Sequence, residues 1–139
     1  MKATMIFVPV LAQLSLTLCL FILLLRRKKA AVAAGNVDLK KTAIDNKQWP
    51  DEVRLVSNNI ANQFEVPTLF YVLCLIFAAL DAVSNLVMGL AILFAISRYV
   101  HAFVHVTSNY VPIRMKVFSV GVSALFVMTG LAAYTVIAA

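Results

Sequence analysis

Between Asn58 and Tyr71 the chain turns from polar to apolar within two helical turns, and Glu65 stands at the boundary. It abuts a long hydrophobic run with no second acid nearby. A carboxylate and several amides leading into a membrane-grade segment are costly unless something binds them, so such groups are functional-site candidates. On a wheel at about 100° per residue, Arg54, Asn58, Asn62 and Glu65 fall within an arc of about 80°. Asn59 and Gln63 lie to one side of it. That lane offers a guanidinium, two amides and a carboxylate, a set suited to a small polar or anionic ligand. The competing reading is a polar helix end whose amides bond to adjacent membrane helices.

A second set lies further along. Arg98, His101 and His105 are spaced i, i+3 and i+7, which puts them on one helix face. Two His at i and i+4 could ligate a metal. No Glu follows His101 in the metalloprotease manner and no third ligand is evident, so no metal is expected. Arg114 follows in the next polar turn, Thr107 to Arg114.

The elements that must position these groups are membrane helices. The 139 residues are 63% hydrophobic and 13% charged, with mean hydropathy +0.93. A soluble domain is about half apolar and about a quarter charged. Four Gly and four Pro argue against a loop-rich chain, and the apolar runs lack the alternation of a membrane barrel. The expectation is one all-α domain over residues 1–139, an up-down bundle of four spans at about 4–25, 52–80, 83–106 and 116–137. Cys19 and Cys74 lie in apolar runs without metal or disulfide spacing and are expected as free buried thiols.

The first run meets Arg26-Arg27-Lys28-Lys29 directly, with only Lys2 before it, which is the pattern of an anchor and not of a cleaved signal. Residues 26–50 are expected as a basic aqueous loop, with seven Lys or Arg against Asp38 and Asp45 and a break at Gly35-Asn36. The cluster serves either as a topology signal or as a contact for anionic lipid or an anionic substrate. It lacks interleaved aromatics and flanks a span, so nucleic acid is not a partner. Trp49 suits the interface, Pro50 suits a first helical position and Asp51-Glu52 suit a helix N-terminus. Pro67 predicts a kink or opening, because it frees the carbonyl of Gln63. Basic residues between spans one and two and between three and four place those loops in the cytoplasm and both termini outside. The candidate residues then share one depth near the cytoplasmic face.

In Asn62-Gln63-Phe64-Glu65 with Pro67, in Arg98-Tyr99-Val100-His101 and in Pro112-Ile113-Arg114, the chain resembles the MAPEG family. These are the membrane-associated proteins of eicosanoid and glutathione metabolism, and the Asn-Gln-Phe-Glu-x-Pro pattern is similar to that of bacterial members. The resemblance covers nearly the whole chain. It implies a homotrimer in a bacterial inner membrane, with glutathione as co-substrate between subunits and a lipophilic electrophile arriving from the bilayer. By that resemblance Asn62 and Glu65 hold the peptide, Arg98 and His101 build the anionic end of the pocket, and Arg114 lowers the thiol pKa as the catalytic residue. Arg54, Asn58 and His105 complete the glutathione-binding set. Asn58 stands where the family has Arg, His105 where it has Tyr, and Pro67 falls one residue early. The implied activity is a transferase or peroxidase; the alternative is a non-catalytic trimer whose polar stripe serves helix association or another small anion.

Overall fold

A computed structural model describes residues 2–138. Among the described residues, four helical segments are long and apolar enough to cross a membrane. The first, α1, runs Phe7–Ala33 after a single 3-10 turn at Ala3–Ile6. At 1.5 Å per residue it is about 40 Å long, beyond the ~30 Å of a bilayer core. Pro9 sits in its first turn, where no N–H is required.

Here the sequence reading needs correction. The basic cluster does not end the helix; Arg26 to Lys29 are helical, and α1 continues through Ala30–Ala33. Arg, Lys and Ala are all strong helix formers, so a hydropathy boundary is not a helix boundary. The helix stops where Gly35 adopts φ +75, with its N–H on the carbonyl of Val32 at 3.0 Å, a glycine stop of the left-handed kind. The loop beyond holds a short helix α2, Leu39–Thr42, and a 3-10 turn at Asn46–Gln48. Asp38 and Asp45 cap them by accepting from backbone N–H groups.

The second span is two helices. α3 covers Asp51–Gln63 and α4 covers Val66–Ala79. Pro50 is the N-cap, one position before the expected one. Between them Phe64 closes α3 and Glu65, at φ −95 and ψ −101, opens α4. Pro67 is at the start of α4, where a missing N–H is harmless to the new helix but fatal to a continuous ladder. Carbonyls released at the break are taken by side chains: Thr68 Oγ1 donates to Phe64 O at 2.9 Å.

A turn containing Asp81 at φ 50 leads to α5, Asn85–Val106, whose N-cap Ser84 accepts from Val87 N–H. The last helix, α6, covers Val111–Ala138. It starts earlier than the expected 116, because Pro112 fits its first turn. Arg114 is thereby a helical residue and not a turn residue.

Two apolar clusters fix the helix order. At one end Ile6, Phe77, Val83, Val87, Met128 and Ala132 share a core, so both chain ends lie on that side. Toward the other, Leu16, Leu20, Val56, Ile60 and Ala102 pack α1, α3 and α5 together. The bundle is therefore up-down. Arg27 pins the second end: Nη1 donates to Glu52 O at 2.7 Å and Nη2 to Val106 O at 2.8 Å. A cation on the last carbonyl of α5 also suits the helix dipole. Gly121 lets α5 and α6 approach, since a Cβ there would lie 2.6 Å from Ser97 Oγ. Of the other small residues on α6, Ala124 and Ala132 are buried, whereas Ser123, Gly130 and Ala133 face outward. Cys74 is buried as expected; Cys19 is exposed, because position 19 falls on the lipid-facing side of α1.

Candidate functional site

The α3–α4 break, the end of α5 and the start of α6 converge at the Arg27 end of the bundle. Arg98 is 1% exposed, and its Nη2 reaches Asn62 O, one of the last carbonyls of α3, at 3.5 Å. A guanidinium at a helix C-terminus is favourably placed, yet Nε and Nη1 find no acceptor among the described residues. The Arg98 Cζ lies 5.8 Å from the Phe118 ring. One turn on, the His101 ring is 5.8 Å from Phe118 and 5.8 Å from His105. Both His are buried, each with an unpartnered Nδ1. No third His, Cys, Asp or Glu joins them among the described residues.

Asn62, His101 and Arg114 line one cleft of about 240 Å³, with Met115, Phe118 and Ser119. Three sequence-predicted residues from three helices thus meet, with Arg98 behind them. Arg114 Nη1 donates to Asn109 Oδ1 at 2.6 Å. Asn109 also borders a second hollow of about 350 Å³, lined by Asp51, Arg54, Leu55 and Asn58. A ligand pocket is about 300–1,000 Å³; the Asn109 hollow reaches that range alone and the Asn62–His101–Arg114 cleft only with it, across the Asn109–Arg114 bond. Arg54 Nη1 is held by Asp51 Oδ1 at 2.9 Å.

Three predicted residues line neither hollow: Arg98, buried behind the cleft, Glu65 and His105. Glu65 is exposed on the outer side of the break, within electrostatic reach of Arg98 but with no ion pair among the described residues. His105 lies behind His101. The residues the sequence reading missed are Asn109 and Phe118. Asn109 has φ 49, a backbone state that Asn tolerates better than most residues, so its place in a turn next to Arg114 was a usable signal. Phe118 is i+4 from Arg114 on α6, a spacing that makes neighbours.

The other amides have a different fate. Gln13 Nε2 donates to Gln63 Oε1 at 2.7 Å, Gln63 Nε2 to Asn59 Oδ1 at 2.8 Å, and Asn59 Nδ2 to Ala102 O at 3.1 Å. This chain ties α1, α3 and α5 inside the bundle. Thr17 is buried beside it, while Ser15 faces outward and bonds to Leu11 O at 2.8 Å.

These features define a polytopic four-helix membrane protein with a basic, amide-lined cleft at one end. The MAPEG family model matches residues 5–134, almost the entire chain, and the protein belongs to the MAPEG family. No curated protein and no solved structure matches it.

Proposed function

We propose that the protein is a glutathione-dependent transferase or peroxidase acting on lipophilic electrophiles, working as a homotrimer. The observation that carries this reading is the convergence of Asn62, His101 and Arg114 on one cleft backed by buried Arg98. The donor set fits an anionic peptide thiol. Arg98 and His101 offer buried N–H donors to a carboxylate, Asn62 matches a peptide group, and Glu65 matches an ammonium. Glutathione would bring the thiol that serves as nucleophile. Arg114 is held by a neutral amide, so its charge is uncompensated and available to stabilise a thiolate. The thiol proton passes to solvent at the cleft mouth, and the sulfur lone pair then forms the new bond as the electrophile's leaving group departs. Asn58, Arg54 and His105 widen or shape the polar end. An apolar groove of about 460 Å³ between α4 and α6 begins at Val66, the residue after Glu65, and gives a lipophilic co-substrate an approach from the bilayer. The positive-inside rule supports a cytoplasmic cleft with both termini across the membrane, as in a bacterial inner membrane.

The test is thiolate absorbance near the glutathione band on titration of purified protein, compared with Arg114→Ala. Loss of the thiolate band is expected when the cation that stabilises it is removed. No binding at millimolar glutathione would falsify the proposal. A non-catalytic module is the second reading, and the Arg54–Asp51 pair favours it, because it satisfies one cation of the polar lane within the chain. It predicts an assembly in detergent that Glu65→Gln destabilises.

A further inference from the structure

The basic end of α1 and the loop after it sort their side chains in a way that a mere topology signal does not require. Arg27 points inward to the carbonyls of Glu52 and Val106. Lys28 lies over the Trp49 ring at 4.8 Å. The remaining cations, Arg26, Lys29, Lys40, Lys41 and Lys47, are all exposed. The two acids of the segment are turned to the backbone. Asp38 accepts from Lys40 N and Lys41 N, and Asp45 from Lys47 N and Gln48 Nε2. Those bonds, the Lys47 backbone N–H first among them, hold the Asp45 carboxyl below its ordinary range and keep it committed to the cap. Between the caps stands Ile44, 91% exposed, with Leu39 at 58%. An apolar tip among lysines is unfavourable in bulk water and favourable at the boundary of headgroups and acyl chains.

We propose that the basic end of α1 and this loop form a binding surface for anionic phospholipid headgroups of the leaflet they face, with Ile44 inserted below the five free cations. Charge complementarity sets the ligand, because a basic collar beside a membrane span meets phosphates with net negative charge before anything else. Trp49, the only tryptophan of the chain, is the built-in reporter, since it packs under Lys28 at the base of the loop. The full-length protein is reconstituted in phosphatidylcholine vesicles containing a minor fraction of brominated lipid, either phosphatidylglycerol or phosphatidylcholine. Each cation near an anionic surface biases occupancy by about fivefold, so brominated phosphatidylglycerol should quench Trp49 at least about threefold more at low salt. The variant K40Q/K41Q/K47Q changes exposed side chains only and should lower the ratio, with Arg26 and Lys29 left in place; 1 M salt, where screening extends over about 3 Å, should bring it to one. Ile44→Ser should lower quenching by both lipids and leave their ratio intact. Equal quenching by the two lipids in the unsubstituted protein overturns the proposal. So does a preference that the triple substitution leaves undiminished. Neither outcome bears on glutathione binding, since none of these residues borders the cleft.

Discussion

Helix α3 carries amides in two adjacent lanes. Asn59 and Gln63 point into the bundle, both almost fully buried, and both side chains bond within the protein, to each other, to Gln13 and to the Ala102 carbonyl. Asn58 and Asn62, each one residue earlier, are exposed and half-buried, and neither side chain bonds within the chain among the described residues. One residue along a helix is about 100°, and that rotation separates a group that holds helices together from one that borders a cleft. The amide type says nothing about the role. What decides it is whether α1 and α5 stand opposite.

The sharpest way to break this contrast is Gln63→Leu. It strands Gln13 Nε2 and Asn59 Oδ1 in the bundle interior, and a buried unsatisfied group costs about 1–3 kcal/mol. Exchange of partners within the membrane softens such losses, with interhelical bonds averaging about 0.6 kcal/mol. A loss of roughly 2 kcal/mol in reversible detergent unfolding is expected for Gln63→Leu. Asn62→Leu, one residue away, should stay within about 0.5 kcal/mol, as surface positions do. Equal destabilisation by the two would erase the distinction between lanes.

Much of this architecture is legible in the sequence. Apolar runs marked the four spans, and Pro67 marked the opening at Phe64–Glu65. The wheel separated Asn58 and Asn62 from Asn59 and Gln63, but could not say which lane faced inward, because facing depends on partner helices distant in sequence. Arg26 to Lys29 misled for a related reason. Hydropathy reports where the bilayer ends, whereas helix propensity and the Gly35 stop decide where the helix ends. Arg114 was placed in a turn because polar turn residues precede it, although Pro112 is at home in a helical first turn. Asn109 was passed over because a turn residue with a left-handed backbone is ordinary until its side chain is seen on Arg114.

The second comparison concerns ligand and not stability. Asn62→Ala should weaken glutathione binding about tenfold in calorimetric titration, the worth of one or two hydrogen bonds lost at a partly desolvated site. Asn59→Ala should weaken it less than its cost to unfolding would suggest, since it touches the cleft only through α3. If Asn59→Ala cuts affinity more than Asn62→Ala while the fold survives, the inner lane is the binding lane and the assignment reverses.

The smallest effect is the most informative about the outer lane. Arg54 pairs with Asp51 across one helical turn, with side chains 43% and 89% exposed, and exposed pairs of this kind contribute about 0–1 kcal/mol and are screened by salt. Arg54→Ala should therefore leave unfolding almost unchanged. Its guanidinium nonetheless borders the hollow that Asn109 joins to Arg114. If the two hollows act as one pocket, Arg54→Ala lowers glutathione affinity about three- to fivefold at low ionic strength, with the difference fading as salt screens the exposed charge. Asp51→Asn should act in the opposite direction, because it releases Arg54 from its present partner. A loss of affinity in both variants would mean that the pair is needed as a pair, and the polar lane would then end at Asn58.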